Sequence, residues 1–323
     1  MDLTTTSSDP ITEDSFGPGL YDVIPRSVFI TFGVILVVAG FTGNIFIILI
    51  CCLDAELRRS SKHFIITSLS LLCLLEQCLS AFIVHTHIYN IENIAGTYGC
   101  AVSYFISAGS YISVSVTVLL VATVAFDSAL TLCLNPPVKD TLRVCIALEC
   151  VVFIVIGSTF MLLPLMNVSA YSDVCSVHMK EHYMLALNLI HFIPQCLILF
   201  LANLILFMCY SRKVRSCPDA TLPHPTDVYL ASALVVLLKL PDFTFSLGFK
   251  TCNDDDGNGM SIFWIVATYT STSIYVALPY LWLSGQDTRQ GAKRVLLGRC
   301  LRKTCTQDMY ILTSPEEFKE PYC

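Results

Sequence analysis

The sequence predicts an all-α membrane protein, a seven-transmembrane helix bundle with a short amphipathic helix after the seventh span. Three observations carry this prediction. The 323 residues are 54% hydrophobic and only 14% charged, too apolar for an ordinary soluble chain. The apolar residues gather into seven stretches, each able to hold the roughly 20 residues that a bilayer demands. Lys and Arg divide unevenly between the connections, with fourteen on one side and only Arg26, Lys180 and Lys250 on the other. Excess positive charge marks the cytoplasmic side, so the N-terminus is predicted outside. The net charge of −6 says little for such a chain, where sidedness matters more than the sum.

Residues 1–25 form an acidic Ser/Thr-rich tail whose Asp2, Asp9, Glu13, Asp14 and Asp22 have no basic neighbour. It reads as a solvated arm or as an electrostatic lure for a basic ligand; Tyr21 beside Asp22 is a candidate for sulfation. With no basic segment ahead of a short apolar run, a cleavable signal peptide is not expected, and the first span is predicted to target the chain. The membrane domain is predicted over 26–285 and a cytoplasmic segment over 286–323.

The first span, 27–53, carries Asn44 in an apolar setting, an amide expected to hydrogen-bond a neighbouring helix. A basic loop, 54–62, leads to the second span, 63–91, which holds Glu76. A carboxylate at mid-membrane costs about 2.5–3.5 kcal/mol on insertion scales, so Glu76 is expected either protonated and hydrogen-bonded inside the bundle or turned to a ligand. The third span, 93–126, runs 34 residues without Asp, Glu, Lys or Arg, has Cys100 near its outer mouth and ends at Asp127. Asn135-Pro136-Pro137 is a helix stop. The fourth span, 144–172, contains Glu149, read as a second buried acid. Asn167-Val168-Ser169 is the chain's one glycosylation sequon and lies on the predicted outer side.

The fifth span, 182–211, contains Pro194. The short connection that follows is basic at its start, which serves equally as a positive-inside anchor or an effector contact. The sixth span, 228–249, holds Lys239, Pro241 and Asp242. Lys239 and Asp242 are three residues apart on one face, which allows an intrahelical ion pair; Glu76 across the bundle is the alternative partner. Cys252 and the triplet Asp254, Asp255 and Asp256 lie outside. The seventh span, 257–286, contains Pro279. Beyond it, Val295, Leu296, Leu297 and Leu301 alternate with Arg289, Lys293, Arg294 and Arg299, the pattern of a helix lying on the inner leaflet. Cys300 and Cys305 are candidate palmitoylation sites, whereas Cys323 does not form a prenylation box. Most of the sixteen cysteines lie in spans or on the cytoplasmic side, where they are expected to stay reduced.

Taken in order, Gly43-Asn44, Asp127-Ser128, Leu238-Lys239-Leu240-Pro241 and Leu278-Pro279-Tyr280-Leu281-Trp282 resemble the motifs of rhodopsin-like (class A) G-protein-coupled receptors, over roughly residues 25–305. The resemblance implies a Cys100–Cys175 disulfide over the third span. It places Asp127, Ser128, Lys239, Pro241, Pro279 and Trp282 at the activation-switch positions. Ser128 stands where the family has an arginine, Lys239 where it has an aromatic residue, and Leu278 and Trp282 where it has Asn and Tyr. With Cys73 also replacing the family's Asp, the internal sodium site is not expected. The pattern looks like an atypical orphan or a herpesvirus-captured receptor. Chemokine receptors tie a cysteine near Cys252 to one in the tail, and this tail has none.

The function implied is a plasma-membrane receptor embedded in the lipid bilayer. It would bind a basic peptide or small protein at Asp22 and Asp254 to Asp256, and signal through a heterotrimeric G protein or arrestin. The alternative is a decoy, scavenger or heterodimer partner that keeps the fold without the switch, an option raised by Ser128, Leu278 and Trp282. No metalloprotease, phosphate-loop or nucleophile motif is present, so no enzyme and no cofactor are expected. His85, His87, His182 and His191 are read as interfacial residues, with no metal site. No internal repeat supports a transporter, and no nucleic-acid partner is expected.

Overall fold

The computed structural model describes residues 26–89, 92–133, 140–162, 169–171, 174–176, 192–216, 224–248, 266–267 and 269–308. They form nine helices and one strand pair: α1 (Arg26–Leu53), α2 (Ala55–Arg59), α3 (Ser61–Tyr89), α4 (Glu92–Cys133), α5 (Asp140–Leu162), β1 (Ser169–Tyr171), β2 (Val174–Ser176), α6 (Ile193–Ser216), α7 (Thr226–Gly248), α8 (Ile274–Ser284) and α9 (Gln286–Asp308). Among the described residues, five helices are long and apolar enough to cross a membrane, through 31–53, 61–79, 112–133, 142–160 and 193–216. These segments are helical because a bilayer offers the backbone no hydrogen-bond partner, and a helix satisfies every N–H and C=O from within.

α4 is the centre of the bundle. It packs on α3, α5, α6 and α7, while α1 packs on α3 and α8, and α8 closes against α7. The core between them is aliphatic, with Ile47, Leu69, Val121, Leu206 and Ile274 all at or below 1% exposure and Trp282 among them. The polarity is inverted relative to a soluble protein. Phe153 is 78% and Phe160 76% exposed, while Asn44, Glu76, Gln77 and Lys239 are buried. Apolar side chains outward and polar side chains inward is the arrangement that lipid demands. Several hydroxyls within the spans turn back on their own helix. Thr42 donates to the Val38 carbonyl at 2.8 Å, Thr123 to Leu119 at 2.8 Å and Ser232 to Val228 at 2.9 Å, so none needs water.

Two glycines set how close the helices come. A Cβ on Gly40 would fall on the amide of Gln77 in α3, and one on Gly43 would meet Pro279 of α8 at 3.0 Å. α1 therefore lies tight against both neighbours. Asn44, one position on, donates to the Tyr275 carbonyl of α8 at 2.9 Å and to the Gly40 carbonyl at 2.9 Å. That carbonyl of Tyr275 also receives Gln77 at 3.4 Å, which joins α1, α3 and α8 at one acceptor.

Three sequence expectations change. α4 does not end at Asp127 but continues to Cys133, because a charge marks the edge of the lipid and not the end of a helix. The basic loop is largely helical: Asp54 caps α2, its carboxylate accepting from Glu56 N at 2.9 Å and Leu57 N at 3.0 Å. Glu149 is exposed on α5 and not buried in the bundle. The inward stripe of that helix is Ala147, Cys150, Ile154 and Ser158, at helical spacing, and Glu149 falls outside it. The antiparallel pair β1–β2 sets Ala170 opposite Cys175, and β2 lies against α4.

Gly40→Ala is expected to lower thermal stability in detergent by about 1–3 kcal/mol, since a buried amide must move to admit the methyl. Gly157→Ala, where the space beside the backbone is open, should melt with the wild type. Equal melting of the two variants would show that the α1–α3 contact is loose.

Candidate functional site

The charged residues of the described helices concentrate at the end of the bundle that holds Asp127. α3 begins there, and its first two residues face different neighbours. Ser61 donates to both carboxylate oxygens of Asp127 on α4, at 2.8 and 2.9 Å. Lys62 pairs with Asp227 at the start of α7 at 2.8 Å. The Asp127 carboxylate also receives Arg143 of α5 at 3.1 and 3.2 Å, and the same guanidinium nitrogen reaches Thr131 one turn further along α4. Asp127 thus binds α3, α4 and α5 together. The Asp127 carboxylate thus draws its arginine from the next helix and not from its own. Ser128, its neighbour, donates to the Val124 carbonyl at 2.8 Å and stays within its own helix.

A second cluster ties the last helix to the first. Arg294 of α9 donates to Asp54 at 2.7 and 3.2 Å and reaches Glu56 at 3.0 Å. The Arg294 hydrogen bond and the two capping amides hold the Asp54 carboxyl below the usual carboxylate range, and the pair raises Arg294 in turn. Asp54 is thereby both the cap of α2 and the anchor of α9. On the same side, the His224 ring sits between Tyr210 of α6 at 4.8 Å and Tyr229 of α7 at 6.2 Å.

Deeper in the bundle, polar groups meet in pairs across helices. Ser113 of α4 donates to Glu76 of α3, which is 2% exposed. Gln195 of α6 donates to Ser115 of α4, whose hydroxyl lies 3.5 Å from Ser158 of α5. Lys239 of α7 donates to Ser271 and sits 6.0 Å above the Tyr275 ring. Asn203 of α6 donates to Ser232 of α7 at 2.9 Å. Pro241 lies inside α7 and its carbonyl accepts Thr244 at 2.9 Å. Pro279 and Trp282 are buried in α8, and the Trp282 indole N–H has no hydrogen-bond partner among the described residues.

The structure also joins Cys133, the last residue of α4, to Cys209 of α6 by a disulfide, with 6.0 Å between the α-carbons. The sequence expectation that cysteines at this end stay reduced does not anticipate that these two would meet. Compartment predicts which redox state is supplied, whereas the fold decides which thiols meet.

Asp22, Asn167, Cys252, Asp254, Asp255, Asp256, His182 and His191 lie outside the described residues. For Cys100, Cys175, Asp242, Cys300, Cys305, His85 and His87 the backbone is described and the side chain is not. Arg143, Arg294, Lys62 and Asp227 escaped sequence reading as site residues. Each was legible as a charge near a span end, but its partner lies in another helix. No protein-family model matches the chain, and a search of curated proteins finds no match.

The Asp54 anchor predicts a pH dependence with a definite sign. A depressed carboxyl contributes stability above the unfolded value of about 3.9, and the contribution is lost as pH falls through the folded value. The melting gap between wild type and Asp54→Asn should therefore be full above about pH 4 and close below it. A gap that widened on acidification would exclude the anchor.

Proposed function

We propose that the chain is a seven-helix receptor resembling the rhodopsin-like class, placed in the plasma membrane with its N-terminus outside. The observation that carries this reading is the Asp127–Arg143–Ser61 cluster on the central helix. A receptor of this design moves the inner end of one helix to expose a surface to a partner. The device needs a contact that holds at rest and yields on demand. Arg143 and Asp127 retain 19% and 14% side-chain exposure, so water screens the pair and keeps it breakable. The uneven distribution of Lys and Arg supports a cytoplasmic location for this end. α7 and α8, which pack in the same bundle, would supply the sixth and seventh spans. Outside, the acids of the tail and of Asp254 to Asp256 would attract a basic peptide or small protein, and inside a heterotrimeric G protein or arrestin would read the motion.

A second reading is a decoy or scavenger with the same fold. It is favoured by Ser128, whose hydroxyl is committed to the Val124 carbonyl and offers nothing to a G protein.

Basal G-protein activation in cells separates the two. On the receptor reading, wild type exceeds the empty-vector level and Arg143→Ala rises several-fold further, because the latch is lost. Silence in both, restored by Ser128→Arg, would favour the decoy. Silence in all three at equal surface expression would sink coupling altogether.

A further inference from the structure

The disulfide between Cys133 and Cys209 joins the most extensively packed helix pair of the bundle at one end only. Cys133 is exposed at the terminus of α4, while Cys209 is half-buried against the core, seven residues before α6 ends at Ser216. Asp127 is six residues back along α4, so the cross-link and the Arg143 contact restrain the same stretch of helix. They act through different neighbours, α6 for the cross-link and α5 for the ion pair. Among the described cysteines, Cys51, Cys52, Cys73, Cys78, Cys145, Cys150 and Cys196 remain free thiols. If this end faces the cytosol, as the proposed function has it, the bond sits where glutathione ordinarily keeps thiols reduced. A bond in that compartment is a reversible one.

We infer that Cys133 and Cys209 are a redox-controlled clasp on the inner end of α4, a dithiol in the resting cytosol that peroxide closes. The chemistry balances with hydrogen peroxide as oxidant. The Cys133 thiolate, the more accessible sulfur, attacks one peroxide oxygen; the O–O bond breaks, leaving a sulfenic acid and one water after proton uptake. The Cys209 sulfur then attacks the sulfenic sulfur, the S–S bond forms, and the hydroxyl leaves with the Cys209 proton as a second water. Two thiols and one peroxide give one disulfide and two waters. Reopening consumes two glutathione thiols and yields glutathione disulfide through a mixed disulfide. Closed, the clasp holds the α-carbons 6.0 Å apart and keeps the end of α4 against α6. Open, α4 is free to part from α6 once Arg143 lets go. The inference rests on the sidedness proposed above, and the test below separates the two.

Cells expressing the full chain are treated with or without hydrogen peroxide, and free thiols are blocked with permeant N-ethylmaleimide. The protein is then denatured and reduced, and newly exposed thiols are counted by maleimide-polyethylene glycol gel shift. Peroxide should add two labels over the untreated wild type, and none in Cys133→Ser or Cys209→Ser, and a permeant thiol should reverse the gain. Peroxide should also lower basal G-protein activation in wild type and leave Cys209→Ser unchanged. Absence of the two labels after peroxide overturns the clasp. So does a bond already complete in untreated cells and resistant to permeant thiol, which would be a permanent brace. A bond opened by an impermeant phosphine from outside overturns the sidedness and cytosolic control together. A bond untouched by the phosphine yet indifferent to peroxide overturns the clasp alone.

Discussion

Lipid forms no hydrogen bonds, and nearly everything in this structure answers to that fact. A polar group inside the spans must find its partner in the protein or bear a desolvation cost of several kcal/mol. Backbone groups solve this by helix formation. Hydroxyls such as Thr42, Thr123 and Ser128 solve it by bonding the carbonyl one turn back. Amide and acid side chains also reach across to a neighbour and so help define which helices touch. Asn44 and Gln77 meet at the Tyr275 carbonyl, Ser113 meets Glu76, and Gln195 meets Ser115. With no hydrophobic drive between helices in a membrane, such pairs and the close approach at Gly40 and Gly43 set the packing.

At the charged end the rule relaxes for Asp127, Asp227 and their partners, which keep 14–19% side-chain exposure, while Asp54 is buried. Ion pairs at such a site are individually weak. Their value lies in which elements they join. Asp127 gathers α3 and α5 onto α4, Asp227 and Lys62 hold α7 to α3, and Arg294 brings α9 to Asp54 at the turn between α1 and α2. These contacts form two groups, one joining α3, α4, α5 and α7 and the other joining α9 to the turn between α1 and α2.

Much of the helical architecture is legible in the sequence because span composition is a strong signal. α1, α3 and α7 lie close to the stretches marked by the charge boundaries, whereas α5 ends at Leu162, ten residues short of the fourth stretch, whose end holds β1. What composition cannot supply is rotation and partnership. Glu149 is expected among the buried polar groups, yet which face of its helix is inward depends on where α3 and α4 lie, and the apolar run itself does not say. The pairs that define the site join residues 16, 165 and 240 positions apart, beyond any local pattern. Asp54 could have been found, since an Asp ahead of a short run with Glu56 is a helix-start signal; its place in a basic connection obscured it.

The adjacency of Ser61 and Lys62 carries one more consequence. Neighbouring positions on a helix point about 100° apart, so α3 addresses α4 with one side chain and α7 with the next. Rolling α3 about its axis by a fraction of a turn would therefore withdraw one grip as it shifts the other. The rod works as a camshaft, timing two followers that never touch its drive. Inserting or deleting a single residue just after Lys62 would mistime both at once, even with every hydrogen-bonding group still in place.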